Sequence, residues 1–211
     1  MKTMGFYLLL MTVTYNCSIA QTNDYYPLAV GNYWVYKSEP NKNSDYEPRS
    51  YKTFIESTDT VNGNECYTIN SNIKKGSVRW TGFDKSGNVT IYAIGTKKFI
   101  FKEWNPPFIL IPNNVSQGLT WENKDAGHSD AYPDSVFYAA FSCRIESTNE
   151  TVTVPAGTFD NCLKILQTFR QPGGDYPSVD ISYYAKGVGR VMSVNKDIRT
   201  ELIEYFVGGN K

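Results

Sequence analysis

The chain has one histidine, His128, within Asp125-Ala126-Gly127-His128-Ser129-Asp130, and any imidazole chemistry would have to pass through it. A Ser-His-Asp hydrolase would need a serine from elsewhere in the chain. The Gly-x-Ser-x-Gly elbow that exposes such a serine is absent. A Cys-His pair would need Cys66, Cys143 or Cys162. All three sit in strand-like apolar runs, where a thiol is expected to be buried and inert. Asp125, His128, Asp130 and Asp134 offer oxygen and nitrogen donors to a metal. Zinc prefers more His or Cys, and the spacing does not match the known calcium loop, so the run reads as a solvated loop. Glycoside hydrolysis needs two carboxylates at a set separation. Glu56, Glu103, Glu122 and Glu146 are candidates, and nothing in the sequence selects between them. The expectation is therefore a non-enzyme with no catalytic, cofactor or metal residues. A hydrolase using His128 or a carboxylate pair is the third reading.

The elements that would position these groups read as strands. Tyr33–Ser38, Tyr51–Val61, Asn64–Ile73, Ser77–Phe83, Asn88–Ile94 and Lys98–Trp104 are rich in β-branched and aromatic residues. So are Gly118–Lys124, Val136–Ser147, Thr151–Val154, Cys162–Arg170, Val179–Ala185, Arg190–Asn195 and Arg199–Val207. Asn62-Gly63 accepts positive φ at both central positions and predicts a type I′ hairpin. Asp84 to Asn88 predicts a second hairpin with Gly87 or Asn88 left-handed, and Ser147 to Glu150 a third. Two stretches break the rhythm: Pro106 to Asn114, read as a crossover with room for a short helix, and the polar run Asp125 to Asp134. A short helix is also allowed at Ala156 to Asn161. Pro155-Ala156-Gly157 predicts a corner anchored by Phe159, and Gly187-Val188-Gly189 a bulge or bend rather than a phosphate loop. Gly31-Asn32 should turn the chain so that Trp34 and Tyr36 pack on one face. About twelve strands cannot lie flat, so the expected fold class is all-β: one strongly curled antiparallel meander, half-barrel or barrel-like, with few or no helices. Val78 and Trp80 opposite Phe83 predict that both faces of the sheet are partly covered.

The N-terminus reads as an address. Lys2, the apolar stretch Phe6–Val13 and the small-x-small Ser18-Ile19-Ala20 have the order of a secretory signal cleaved before Gln21. Residues 1–20 are thus expected to be a signal peptide and 21–211 a single all-β domain. A lipid anchor on Cys17 is the second reading of the same segment. The apolar stretch is shorter than the roughly 20 residues a spanning helix needs, and no later segment is longer. With 21 basic and 21 acidic residues there is no cationic surface for nucleic acid, and that partner class is rejected. Alternation places Cys143 with Phe137, Ala139, Phe141 and Ile145. It places Cys162 opposite Leu163 and Ile165, so these two cannot bridge. Free buried thiols are expected, with Cys66 to Cys162 as the pairing least opposed by the pattern.

Several phrases carry a resemblance: Tyr26-Pro27-Leu28 with Gly31-Asn32-Tyr33-Trp34-Val35-Tyr36, Asp84 with Gly87-Asn88-Val89, Val152 to Lys164, Tyr183 to Val191, and Glu201 to Tyr205. Together they resemble a family of exported, β-rich bacterial proteins of uncharacterised function. The resemblance implies export and a β fold and brings no catalytic residues. More distantly, the layout is similar to the curled sheets of periplasmic lipoprotein carriers, which hold lipid on the concave face. With 16 tyrosines and 15% aromatic residues, the favoured function is binding of an apolar or amphipathic small ligand, or of a cell-envelope partner, on that face. A structural or adhesive interaction module is the alternative.

Overall fold

The computed structural model describes residues 23–41, 44–73, 76–129, 132–170 and 177–208, with backbone alone for 125–129, 132–140 and 170. Twelve strands form one nearly closed, barrel-like antiparallel sheet, and no helix occurs among the described residues. They are β1 (Tyr33–Pro40), β2 (Arg49–Val61), β3 (Asn64–Ser71), β4 (Ser77–Phe83), β5 (Val89–Thr96), β6 (Ile100–Ile111), β7 (Thr120–Ser129), β8 (Tyr132–Val154), β9 (Gly157–Arg170), β10 (Ser178–Ala185), β11 (Gly189–Val194) and β12 (Ile198–Phe206). The strand order is β6-β5-β4-β3-β2-β1-β12-β11-β10-β9-β8-β7. Each half is a six-stranded meander, and the halves join through β1 and β12, from Tyr33 opposite Phe206 to Pro40 opposite Ile198.

The turns follow their residues. Asn62 and Gly63 both take positive φ (49° and 75°), the type I′ pattern. In the β4–β5 hairpin Gly87 is the left-handed residue (φ 80°), and Asp84 Oδ1 accepts from the amides of Ser86 and Asn88 at 2.8 and 3.0 Å. Asn32, almost fully buried, ties three segments: its Nδ2 donates to Pro27 O (3.1 Å), its Oδ1 accepts from Gly208 N (3.0 Å), and its carbonyl accepts from Ile55 N (2.9 Å). Trp34 and Tyr36 then point together into the interior.

Five local expectations are corrected. Ser147 to Glu150 is not a hairpin: β8 runs through it, because Ser147 Oγ, 2.8 Å from Asn149 Oδ1, holds a local irregularity that shifts register without reversing the chain. The reversal comes at Pro155-Ala156, and no helix forms from Ala156 to Asn161. Asp125 to Ser129 and Tyr132 to Asp134 are strand rather than loop, at the adjoining ends of β7 and β8, with His128 opposite Val136. Pro106-Pro107 lies inside β6 rather than in a crossover or helix. β6 is an end strand of the sheet, and the ladder to β5 jumps from Glu103 opposite Ala93 to Phe108 opposite Ile91, so both prolines fall where no amide is needed. Gly187-Val188-Gly189 belongs to the β10–β11 hairpin, and the bulge sits earlier, between Tyr183 and Tyr184.

Both faces of the sheet are partly covered, as Val78, Trp80 and Phe83 suggested. Trp34, Tyr36, Ile55, Ile69, Cys162 and Leu202 belong to one cluster. Val89, Ile111, Ile145, Leu163 and Tyr184 belong to a second. Val61, Cys66, Val78, Trp80 and Tyr92 make a third. Cys162 and Leu163 are neighbours in β9, yet they enter different clusters and are both fully buried. Successive residues of a strand point to opposite faces, so the strand is sandwiched.

The two end strands meet without a ladder. Asn123 of β7 supplies both halves of a strand-like pair from its side chain: Oδ1 accepts from Ile109 N (2.8 Å), and Nδ2 donates to Ile109 O (2.9 Å). Trp121 Nε1 donates to the same carbonyl at 3.1 Å.

Candidate functional site

A pocket of about 300 Å³ lies inside the curl and is lined from eight of the twelve strands, together with Tyr26 from the entering segment. Only the concave side of a curled sheet can draw on β1, β2, β4, β5, β6, β9, β10 and β11 at once. Its size is at the lower end of the usual ligand-pocket range of about 300–1,000 Å³. Trp34, Ile91, Phe108 and Leu110 give it apolar walls, and Arg79, Arg190 and three tyrosines give it polar ones.

The two arginines come from opposite halves of the sheet. Arg79 stands on the interior face of β4, where its cross-strand partners are Ile69 and Ile94. Its Nη2 donates to the Tyr26 hydroxyl, and its Nε is buried without a hydrogen-bond partner. Arg190 is paired across the β10–β11 ladder with Tyr184. Its guanidinium lies over the Tyr36 ring, 4.9 Å from the centroid, and donates from Nη2 to the Tyr51 hydroxyl at 3.3 Å. The Tyr36 hydroxyl in turn donates to the Arg190 carbonyl at 3.0 Å. Neither guanidinium forms an ion pair with a described carboxylate. Asp180, the one acidic residue in the described wall, accepts instead from Asn195 Nδ2 at 3.0 Å.

The electrostatics keep these groups in one protonation state. Burial pushes the Tyr36 phenol well up, and it pushes Tyr184 up against the opposing pull of Arg190 and Arg79. Both phenols therefore stay protonated near neutrality and can donate. For Arg190, burial works against the charge but is outweighed by the surrounding phenols, and its pKa lies above the ordinary value. The pocket thus holds two permanent positive charges beside hydroxyl donors and next to aromatic and aliphatic walls.

A larger groove, of about 740 Å³, lies at the β2–β3 and β4–β5 hairpins with Asp59, Glu65, Asp84 and Lys85 in its wall. It draws on those two neighbouring hairpins alone, whereas the interior pocket draws on both halves of the sheet.

The residues singled out from sequence do not assemble there. Glu56 binds Lys97 Nζ (2.6 Å) and Asn70 Nδ2 (2.8 Å), and Lys97 holds its carboxyl below the usual range. Glu103 accepts from Asn62 (2.6 Å), Glu146 pairs with Arg144 (3.3 Å), and Glu122 is exposed opposite Ser142. None of the four lines the interior pocket. Asp130 and the side chains of Asp125, His128 and Asp134 lie outside the described residues. Among the described residues no three His, Cys, Asp or Glu side chains gather as a metal site requires. Cys66, Cys143 and Cys162 are free and buried, and burial raises their thiols to about 11, 12 and 11. Sequence reasoning missed Arg79 and Arg190. In Val78-Arg79-Trp80 and Gly189-Arg190-Val191, an arginine between apolar or small neighbours reads as the solvent side of a strand. With both faces covered, the opposite side is interior as well.

No protein-family model matches the chain, and no curated protein matches it. Two solved structures are similar to it: a protein described as a candidate lipoprotein from Parabacteroides distasonis (17% identity, 86% of this chain and 98% of that one, TM-score 0.48) and a candidate exported protein with a YmcC-like fold from Bacteroides fragilis (13% identity, the same coverage, TM-score 0.40). Neither likeness bears on function. No helix among the described residues is long and apolar enough to cross a membrane.

Proposed function

We propose that this chain is an exported, non-enzymatic binding protein that takes an amphipathic small ligand into the interior of its curled sheet. The observation that carries the reading is the pocket itself, where eight strands place apolar walls and polar groups around one concave space. Aromatic and aliphatic walls with placed polar groups among them are what fixes a small ligand's orientation in such a site. Export is supported by Lys2, Phe6–Val13 and Ser18-Ile19-Ala20, in a segment outside the described residues. Residues 21–211 are the mature domain on this reading, and Cys17 as a lipid anchor is its alternative. The buried, high-pKa thiols and the scattered carboxylates favour binding over hydrolysis.

Native mass spectrometry of residues 21–211 from an exporting host, before and after solvent extraction, tests the proposal. A reproducible extra mass that leaves on extraction is the expected result. Clean apo protein that also takes up no added amphiphile would overturn it.

One observation favours the second reading, a surface-interaction module. Phe99 and Phe101, near the β5–β6 turn, are 57% and 46% exposed and stack edge to face at 4.7 Å. If that pair is the working surface, replacing both with Ser removes binding to envelope extracts while leaving ligand uptake intact.

A further inference from the structure

We infer that the ligand of the interior pocket carries an acidic oxyanion head, seated between Arg79 and Arg190, on an apolar body packed against Trp34 and Phe108. The inference rests on the binding reading above and specifies what that site selects.

Three observations converge on it. First, two guanidiniums line one confined pocket, and neither is ion-paired to a described carboxylate. Charge withdrawn from water without a counter-ion is costly, and a bound anion supplies the missing partner. Second, the hydrogen bonding of the two groups is incomplete. A guanidinium carries five N–H donors. Arg79 donates one to Tyr26 and leaves Nε buried without a partner, while Arg190 donates one to Tyr51. The remaining donors suit an oxyanion, which arginine grips through parallel N–H···O bonds. Third, the groups are held in place before any ligand arrives: Arg190 by the Tyr36 ring beneath it, and Arg79 by Tyr26. Tyr184, held protonated by burial, feels both guanidiniums from its place on β10. Asp180 is committed to Asn195 and rejects a second anion near β10 by its own charge.

The test uses the neutral fluorescent probe N-phenyl-1-naphthylamine as reporter, displaced from the mature protein by either decanoate or decanol, which differ in the head group. Decanoate is expected to displace the probe at a concentration at least about tenfold lower than decanol, the range of one hydrogen-bonded ion pair. Arg79→Met and Arg190→Met, which keep an apolar stem, should each bring the two competitors to within about twofold of each other while the probe still binds. Arg190→Lys should retain part of the preference. Equal competition by the two in wild-type protein would overturn the acidic head and leave the cavity reading standing. No probe uptake at all would overturn the reading beneath it. The wild-type comparison decides the matter even if an arginine variant fails to fold. A Phe99→Ser, Phe101→Ser protein that behaves as wild type confirms that the probe reports the interior, and loss of the signal in that protein would overturn the assignment.

Discussion

At the residue scale the three cysteines make a pH-dependent statement. Their thiols are raised to about 11, 12 and 11, chiefly by burial. A thiol at about 11 is roughly one part in a thousand thiolate at pH 8. Iodoacetamide should therefore leave Cys66, Cys143 and Cys162 unlabelled in the native protein at pH 8 and label all three in guanidinium, which intact mass would show. The linkage has a definite sign. Between the unfolded thiol pKa near 9 and the folded values, the native state binds more protons than the unfolded one, so stability is complete below about pH 9 and declines above it. Urea midpoints at pH 8 and pH 10 should differ in that direction, and by less in a Cys143→Ala protein. Gly189 is constrained by geometry instead. It has φ 101°, and a Cβ there would come within 3.3 Å of Trp34 Nε1, the atom that donates to Val188 O at 2.5 Å. Gly189→Ala is expected to cost about 1–3 kcal/mol by urea unfolding, from the backbone conformation and the displaced indole together.

Among the elements, the seam between β6 and β7 is the place where a single side chain does what a ladder does elsewhere. Asn123→Ala removes both bonds to Ile109 and leaves that residue's amide without its partner. A loss of about 1–3 kcal/mol is expected in chemical denaturation, because an unmet backbone group costs more than the bond it replaces is worth net. Strand existence was largely legible in the sequence for physical reasons. Asn62-Gly63 and Asp84 to Asn88 carry turn chemistry that few alternatives can use, and alternation between them marks the half-buried faces. What was not legible has reasons as definite. Ser147 and Asn149 resemble turn residues because local side-chain bonding suits a reversal and a bulge alike, and only the partner strand β9 decides. Pro106-Pro107 looks like a breaker until β6 is known to be an end strand. Arg79 and Arg190 were hidden because alternation reports two faces without saying that both are inside.

For the whole molecule, the order β6 to β1, then β12 to β7, makes the break between β6 and β7 the natural end of the sheet, and the first and last strands its middle. A circular permutant opened between the exposed Ser116 and Gln117, with residue 208 joined to residue 23 by a short Gly-Ser linker, should fold to the same sheet. Matching far-UV circular dichroism and a urea midpoint near that of the parent would bear this out. A flat denaturation curve would mean that the β6–β7 connection is needed for closure.

The central pairing of β1 with β12 also sets a timetable. Tyr33 cannot meet Phe206, nor Ser38 Oγ its 2.7 Å bond with Thr200 Oγ1, until almost the entire chain is present. Contacts so distant in sequence form late. A polypeptide that passes through a translocation pore N-terminus first thus keeps its middle seam open until the last strand has emerged. On the export proposed above, the order in which the strands arrive would delay completion of the sheet on the near side of the membrane.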